Sequence, residues 1–492
     1  MSFLLAIDQG TTNTKGLLVN RDGIVAHRTS SPLSLLFPQT DFVEQAPHKI
    51  LASVKTVMES CIAQSHDIAA IAISNQRETV LAWERHTLRP VSNAITWQCR
   101  RATAICERLH QDGHETLLRA KTGLGIDPLF SAGKIAWLLK NIDGLAARTK
   151  AGDICFGTID SWLLAYLTVG KQHACDHSNA SRTQLMNLRA REWDQEILRL
   201  FDIPAVALPS IHTSSGFFGE CSLDLKGLQG VPILAAIGDS HAALAGHGCN
   251  SPGSIKATYG TGSSLMTISR TPSPSETSRL SHTIAWTTPE TALYAMEGNI
   301  SMTGSAIQWL GEFLNLPNPV QDAVALAETV DDSAGVHFVP AMSGLGAPHW
   351  ATNARGTITG LSRTSTRAHL ALAAVESIAF QIRDVFDAMQ RETGLPFPAL
   401  HVDGGATRNT ALMQFQADIL GTPVYRSEIE DLSALGAARL AGLALGWWKD
   451  LSTLPQPVTV FSPQMQEEER ASRYASWNAA VDATLFKKDT AA

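Results

Sequence analysis

An aspartate and several small hydroxyl residues follow an apolar run near the amino terminus, and they are the first residues of the chain that could do chemistry. Phe3-Leu4-Leu5-Ala6-Ile7 is typical of a buried strand, and Asp8-Gln9-Gly10-Thr11-Thr12 follows it directly. Successive backbone N–H groups after Gly10 could hold phosphate oxygens, and the Asp8 carboxylate suits a Mg²⁺ ion carried by those phosphates. An ordinary strand ending in a Thr-rich turn explains the same residues, so the motif needs support from other segments.

Two later segments repeat this pattern of a strand followed by a glycine-rich loop. Residues 254–259 lead into Gly260-Thr261-Gly262-Ser263-Ser264, and residues 399–402 lead into Asp403-Gly404-Gly405-Ala406. Three such loops can converge on one nucleotide from two domains. A length of 492 residues also favours two or more domains, and the turn-rich segment around Cys249 marks a boundary. We therefore expect an amino-terminal domain of residues 1–249 and a carboxy-terminal domain of residues 250–492.

The elements that position these loops can be outlined from periodicity. The first loop should join two strands as a hairpin, because Leu17-Leu18-Val19 is again apolar. Residues 68–73 are expected to form a strand, with residues 80–83 pairing beside it. Helical periodicity covers four segments, namely residues 132–141, 160–166, 366–390 and 434–448.

Composition excludes several classes of function. The 39 basic and 46 acidic side chains give a net charge of -7, which argues against broad nucleic-acid binding. No apolar run approaches the length of a membrane span. The seven cysteines are scattered without a CxxC pair, as in reduced cytoplasmic proteins, so a cytoplasmic location is expected. The sequence contains neither the GxxxxGK[ST] pattern of P-loop nucleotide-binding proteins nor the GxGxxG pattern of dinucleotide-binding domains.

Two further groups of polar residues are candidates for a site. Asp239 lies between an apolar strand and a helix of small residues. The segment Gly238-Asp239-Ser240-His241-Ala242 resembles the nucleophile elbow of hydrolases but lacks its final glycine, which argues against a hydrolase. Asp239 could instead cap the helix that begins near Ser240. Arg77 and Glu78 are neighbours at a strand end, where a turn could bring both onto one ligand, or they could form a plain surface charge pair.

The order and spacing of a series of segments resemble the FGGY carbohydrate kinases, and within that family the glycerol kinases. The matching segments run along nearly the whole chain: residues 8–12 (DQGTT), 74–79 (SNQRET), 96–101 (TWQCRR), 156–162 (FGTIDSW), 179–183 (NASRT), 259–262 (YGTG), 304–310 (GSAIQWL), 344–350 (GLGAPHW), 356–376, 403–409 and 413–421 (MQFQADILG).

The resemblance implies an α/β fold of two actin-like, hexokinase-like (ribonuclease H-like) domains with a catalytic cleft between them. It also implies ATP and Mg²⁺, with Asp8 and Asp239 as the carboxylates at the metal. Lys15 stands where the family usually has arginine, so a phosphate contact would remain but lose its bidentate geometry. The nucleotide site implied by the resemblance consists of Thr11, Thr12, Asn13, Lys15, Thr261, Gly304, Gln308, Gly405 and Asn409.

For the acceptor, the resemblance implies Arg77, Glu78 and Trp97 as substrate contacts and Asp239 as the general base. A phosphoryl acceptor hydroxyl needs a carboxylate in line to take its proton. The implied reaction is ATP-dependent phosphorylation of a terminal hydroxyl of glycerol or a related polyol. A buried core tryptophan remains the alternative for Trp97.

Three positions depart from the glycerol pocket that the resemblance implies. Leu129 replaces a tyrosine, Ser264 replaces a phenylalanine, and Ser240 with His241 replaces a glutamine pair. Each change removes bulk or a hydrogen-bonding group, which matters in a site built to bind hydroxyls. We therefore expect a roomier pocket, into which His241 could reach, for a polyol of four or five carbons, although glycerol itself remains open.

Several alternatives stay open at this point. A ketose kinase of the pentulose type is the alternative within the family, while an actin-like nucleotide switch and a non-catalytic sugar-sensing regulator belong to other classes. The resemblance also implies a homodimer or homotetramer. The stretch at residues 226–232 lacks the arginine through which some relatives bind fructose 1,6-bisphosphate, so no such inhibition is expected.

Overall fold

The computed structural model describes residues 2–269, 271–272, 278–342 and 344–485. This part of the chain contains 22 strands. In chain order they are β1 Phe3–Gln9, β2 Asn13–Val19, β3 Val25–Pro32, β4 Glu44–Gln45, β5 Ile68–Asn75, β6 Val80–Glu84, β7 Ala94–Ile95, β8 Ile154–Thr158, β9 Ala174–Asp176, β10 Met186–Asn187, β11 Glu192–Trp193, β12 Ser210–His212, β13 Ile233–Gly238, β14 Ile255–Tyr259, β15 Ser263–Ser269, β16 Ser281–Thr287, β17 Ala292–Ile300, β18 His337–Val339, β19 Thr357–Thr359, β20 Leu400–Asp403, β21 Val424–Ser427 and β22 Val458–Phe461.

Fifteen α-helices occur in the same described residues. They are α1 Pro47–Ile62, α2 Thr103–Gln111, α3 Glu115–Thr122, α4 Ser131–Asn141, α5 Leu145–Lys150, α6 Ile159–Leu167, α7 His177–Ser181, α8 Gln195–Leu200, α9 Asp239–Gly246, α10 Gly304–Phe313, α11 Pro319–Ala327, α12 Arg367–Thr393, α13 Thr410–Leu420, α14 Leu432–Ala444 and α15 Glu467–Leu485. The four helices expected from periodicity are confirmed, although α14 ends four residues earlier than expected.

The amino-terminal sheet has five strands in the order β13-β5-β1-β2-β3. The predicted hairpin is confirmed, because β1 and β2 pair antiparallel with Asp8 opposite Lys15. Strands β5 and β13 run parallel to β1, with Asp8 opposite Ser74 and Gly238 opposite Asn75. The carboxyl ends of three strands therefore meet at one edge of this sheet.

One strand pairing expected from the sequence is wrong. Strand β6, which covers residues 80–83, does not pair with β5. It pairs with β7 and β8 in a separate four-stranded sheet of order β4-β7-β6-β8. The intervening loop, which carries Arg77 and Glu78, redirects the chain away from β5. Glu78 has a positive φ of 58° in this loop, and such a turn is not visible in hydrophobic periodicity.

The carboxy-terminal sheet has seven strands in the order β16-β17-β15-β14-β20-β21-β22. One face packs on α12 and α13 through residues such as Ile255, Leu265 and Val402. The opposite face carries a band of polar side chains across four neighbouring strands, because side chains alternate between the faces along each strand. The band consists of Asp403, Lys256, Thr258, Ser264 and Glu297.

The two large sheets are joined by a shared apolar cluster that contains α9 and α14. Residues from β1 and β13, such as Ala6 and Ile237, pack there together with Met266 of β15 and Leu435 of α14. The polar band of the carboxy-terminal sheet therefore faces the strand ends of the amino-terminal sheet. Among the described residues no helix combines the length and the apolar character that crossing a bilayer would require.

Candidate active site

Asp239 stands at the end of β13 and is the first residue of α9. Its Oδ1 accepts hydrogen bonds from the Ser240 backbone N–H at 2.7 Å and from Arg77 Nε at 3.1 Å. Burial raises the pKa of Asp239, and the charge of Arg77 opposes that shift. The side chain is still 35% exposed, so a ligand can reach this carboxylate. Asp239 thus begins a helix and also faces the open side of the site.

Asp8 stands at the end of β1, close enough to Asp239 for the two charges to interact. Ser74 Oγ donates to Asp8 Oδ1 at 2.8 Å. Burial raises the pKa of Asp8 to about 6; Lys15 opposes this shift, and the negative charge of Asp239 adds to it. A divalent cation would relieve the cost of holding these two carboxylates together.

The carboxylates of Asp8 and Asp239 suit Mg²⁺, whose remaining ligands can be water and phosphate, better than they suit a metal ion that needs protein ligands only. Within the described chain, no group of three or more His, Cys, Asp or Glu side chains could hold a metal ion. Mg²⁺ is commonly bound by one or two carboxylates, with waters and substrate phosphates completing its six positions. Asp8 and Asp239 match that donor set.

The loop between β1 and β2 brings Thr11, Thr12 and Asn13 together. Gly10 N donates to Asn13 O at 2.9 Å, which closes the loop into a tight turn. Asn13 Nδ2 donates to Thr12 Oγ1 at 3.3 Å. Trp97 Nε1 donates to Thr11 Oγ1 at 2.9 Å, and the Trp97 side chain is 39% exposed. Trp97 is therefore not a core residue, and it links this loop to the rest of the site.

Lys15 lies on β2 opposite Asp8 and has an acidic partner. Its Nζ is 2.8 Å from Asp431 Oδ1, at the start of α14. Burial alone would lower the pKa of Lys15, but Asp8 and Asp431 raise it above its ordinary value. Lys15 is therefore a fixed positive charge that joins the two halves of the chain beside Asp8.

Arg77 and Glu78 enter a buried network of four charges. Arg77 Nη1 donates to Glu297 Oε2 at 2.9 Å, and Arg77 Nη2 lies 2.8 Å from Glu297 Oε1. Arg182 Nε donates to Glu78 Oε1, and Arg182 Nη1 lies 2.9 Å from Glu297 Oε2. None of the four side chains is more than 9% exposed, so they do not form an ordinary surface charge pair.

The three positions that depart from the expected glycerol pocket all border this network. Ser240 Oγ accepts from Arg77 Nη2 at 3.2 Å, and Ser264 Oγ donates to Glu297 Oε1 at 2.7 Å. Leu129 touches it through Lys134, whose Nζ donates to the carbonyls of both Leu129 and Glu78.

His241 does not reach open space, contrary to the sequence-based expectation. It is fully buried, and its Nε2 lies 3.2 Å from Thr283 Oγ1. The helix turn at α9 directs the residue after Ser240 inward, since successive helical residues point about 100° apart.

Two loops of the carboxy-terminal half hold the other expected nucleotide residues. The Thr261 carbonyl accepts from the N–H of Thr303 at 3.0 Å and from that of Ser305 at 3.1 Å, next to Gly304. A Cβ at Gly304 would lie 2.7 Å from the Gly260 carbonyl, so this close contact requires glycine. Gln308 is exposed on α10 and donates to Glu312.

The second loop follows β20. Gly404 has a φ of 99°, and a Cβ there would collide with the Tyr259 carbonyl. A Cβ at Gly405 would meet nothing within 4 Å, which leaves room for a ligand over the loop. Asn409 caps α13, because its side chain accepts from Leu412 N at 2.9 Å. Backbone and small side chains thus line this part of the site.

Sequence reasoning missed Glu297, Arg182 and Lys256. Lys256 is fully buried, and its Nζ donates to Thr258 Oγ1 at 3.0 Å. Burial lowers the pKa of Lys256, and the nearby Asp403 charge opposes the shift. A signal was present, because Glu297 and Lys256 are charged residues inside otherwise apolar strands, and such residues are almost never buried unless paired.

Comparison with known proteins places the chain in context. Residues 3–246 match the model of the N-terminal domain of the FGGY family of carbohydrate kinases, and residues 255–445 match that of its C-terminal domain. The glycerol kinase of Trichlorobacter lovleyi is 45% identical over 490 residues, which cover 98% of each chain. The crystal structure of Plasmodium falciparum glycerol kinase with ADP superposes with a TM-score of 0.92 at 32% identity, covering 99% of each chain. A ligand-bound xylulose kinase from Lactobacillus acidophilus shares the fold, with a TM-score of 0.88 at 23% identity over 98% of each chain.

Proposed function

This chain belongs to the FGGY family of carbohydrate kinases, and we propose that it transfers the γ-phosphate of ATP to a terminal hydroxyl of glycerol or of a related polyol with four or five carbons. The similarity to glycerol kinases over the full length supports a polyol acceptor. The ADP named with the Plasmodium falciparum enzyme supports ATP as the donor.

The observation that carries this proposal is the placement of Asp239. Its carboxylate is partly exposed beside Arg77, at the sheet edge that also carries Asp8. In the proposed step, Asp239 accepts the proton of the acceptor hydroxyl as that oxygen bonds to the γ-phosphorus. The bond from the γ-phosphorus to the oxygen that bridges the β- and γ-phosphates breaks, and ADP leaves.

For the donor, we assign the phosphates to Thr11, Thr12, Asn13 and Lys15. A Mg²⁺ ion held by Asp8 and Asp239 would neutralise charge on the phosphate oxygens. The remaining residues proposed for the nucleotide come from the carboxy-terminal half: Thr261, Gly304, Gln308, Gly405 and Asn409. Access over Gly405 supports this side of the site.

For the acceptor, Arg77 would donate to substrate oxygens, Glu78 would accept from substrate hydroxyls, and Trp97 would pack against the carbon chain. Hydrogen bonds to Asp239, Glu297 and Ser240 use three of the five N–H groups of Arg77, so donors remain for a ligand. Ser240 and Ser264 border the same region with small polar side chains. Leu129, on a neighbouring loop, has no side-chain hydroxyl to offer. These three residues support an acceptor longer than glycerol.

We also propose that the boundary between the two domains lies at residue 249. The two domains would close on the substrates, which excludes water from the transferred phosphate.

All seven cysteines are buried as free thiols. Free thiols and the use of ATP support a cytoplasmic location. A homodimer or homotetramer is the proposed assembly, and light scattering of the purified protein tests it.

The test is ADP release from Mg-ATP with glycerol, four- and five-carbon polyols and small ketoses, for the wild type and for Asp239→Asn. Activity with a polyol that is lost in Asp239→Asn supports the proposal. Activity confined to ketoses would replace polyol by ketose as the acceptor. Stimulation by none of these compounds, in a folded protein that binds ATP, would refute a kinase role and favour a nucleotide switch or a sugar-sensing regulator.

A further inference from the structure

Glu297 comes from the middle of β17 in the carboxy-terminal sheet, yet both arginines that contact it lie in the amino-terminal half. Its carboxylate accepts hydrogen bonds from Arg77 Nη1 and from the Ser264 hydroxyl. It also forms ion pairs with Arg77 Nη2 and Arg182 Nη1 at 2.8 and 2.9 Å. The side chain has no exposed surface. Burial alone would raise the pKa of Glu297. The charges of Arg182 and Arg77 outweigh this effect and hold that pKa well below its ordinary range.

The network links the two residues proposed to bind the acceptor. Arg77 touches Glu297 directly, and Glu78 touches it through Arg182. The Arg182 guanidinium also stacks 5.2 Å from the centre of the Phe130 ring, beside the loop that carries Leu129. Removing Glu297 would therefore loosen Arg77 directly and Glu78 through Arg182.

Stability alone does not account for such a cluster. Burying four charges costs desolvation energy, and apolar residues of similar volume would often give an equally stable fold. What the charges supply is direction, since a guanidinium gripped by a carboxylate through two nitrogens is fixed in both position and plane. Arg77 then presents its Nε to Asp239 in one defined orientation.

We propose that Glu297 is a positioning residue for the polyol acceptor: its carboxylate fixes Arg77 directly and Glu78 through Arg182, so that both face the hydroxyl next to Asp239. The inference rests on the proposed function and deepens it. It assigns the alignment of the acceptor to a residue of the carboxy-terminal half, whereas the side chains that touch the acceptor come from the amino-terminal half.

The test compares Glu297→Gln, Glu297→Asp and Arg182→Lys with the control Glu290→Gln, which removes an exposed carboxylate from the turn between β16 and β17. We expect Glu297→Gln to raise KM for the polyol by about tenfold or more, because a hydrogen-bonded charge is lost. KM for ATP should stay within about twofold, since Glu297 touches none of the proposed nucleotide residues. Glu297→Asp keeps the charge and should recover part of the loss.

The variant Arg182→Lys provides a second test of the positioning role and keeps the net charge of the network. A lysine can reach Glu78 or Glu297 but cannot bridge both with a planar fork, so KM for the polyol should again rise by about three- to tenfold. If Glu297→Gln does not fold, this variant decides the question. Glu290→Gln should match the wild type in all parameters.

Two results would overturn this inference and leave the proposed function intact. One is a folded Glu297→Gln enzyme, or a folded Arg182→Lys enzyme where Glu297→Gln does not fold, with an unchanged KM for the polyol. The other is a proportional rise in KM for both ATP and the polyol, which would indicate general loosening of the fold. A wild-type protein that phosphorylates no polyol would instead overturn the proposed function, and this inference with it.

Discussion

Replacing Ser264 by phenylalanine should change which acceptor the enzyme prefers. Ser264 is half-buried on β15 and lies on the polar face of the sheet with Glu297, to which it donates a hydrogen bond of 2.7 Å. Phenylalanine would remove that bond and also add the bulk of an aromatic ring beside Glu297 and its partner Arg77. Alanine would remove the bond and fill nothing. The pair of variants Ser264→Phe and Ser264→Ala therefore separates volume from hydrogen bonding.

The two effects have different magnitudes and different targets. Loss of a hydrogen bond to a carboxylate costs about 1.5–3 kcal/mol and acts on Glu297 whichever acceptor is bound. Exclusion of one extra carbon unit costs about 1–3 kcal/mol, or about 10–200-fold in kcat/KM, and acts only on the longer acceptor. Ser264→Phe should thus lower the ratio of kcat/KM for a four-carbon polyol over glycerol by that factor, while Ser264→Ala leaves this ratio near its wild-type value.

The assay is coupled ADP release at saturating Mg-ATP, with glycerol and the four-carbon polyols as variable substrates for the three proteins. The reasoning fails if Ser264→Phe keeps the wild-type ratio, because Ser264 would then not border the acceptor. Equal shifts of the ratio in both variants would also refute it, since the serine hydroxyl rather than the free volume would then set the preference.

Three further outcomes are expected. Asp239→Asn should lower kcat by about 10²–10⁴-fold in the same ADP assay, because the proposed general base is lost; a loss below about tenfold would remove that role. Gly404→Ala should raise KM for ATP or lower the melting temperature, at a cost of about 1–3 kcal/mol, since its Cβ would collide with the Tyr259 carbonyl at a φ of 99°; wild-type values in both would contradict this. Burial lowers the pKa of His173 to about 4, from an ordinary 6.5, so the neutral ring is favoured in the folded state. The free energy of unfolding should therefore fall by about 1–3 kcal/mol as the pH drops from 6.5 to 4, and His173→Gln should lack this component in urea titrations; equal slopes for both proteins would refute it.

The sequence predicted the local devices of the site well, because they depend on short stretches of chain. The hairpin around Gly10 follows from two apolar runs separated by a few small residues, and β1 and β2 form it. Helix α4 follows from the apolar spacing over residues 132–141. Both depend on periodicity, which a single sequence displays directly.

What the sequence did not predict depends on distant parts of the chain. The pairing of β6 with β8 instead of β5 is decided by the turn at Glu78, where the backbone adopts a positive φ. Glu297 and Arg182 join Arg77 from segments 220 and 105 residues further along the chain. Charged residues inside apolar strands indicate a buried partner but do not identify it.

In the proposed site, the residues assigned to chemistry and those assigned to specificity are held in different ways. Arg77, Glu78 and Asp239 are joined by charge: Arg77 holds Asp239 directly, and Glu78 is reached through the ion pairs of Arg182 and Glu297. Removing Arg77 or Glu78 would strand a buried charge, which is strongly destabilising. The residues that border this network are not bound in that way. Those that depart from the glycerol pocket, at positions 129, 240 and 264, contribute a backbone carbonyl or a single hydroxyl to it. They can change in size while every ion pair stays formed, so the acceptor can change while the phosphoryl-transfer machinery is retained.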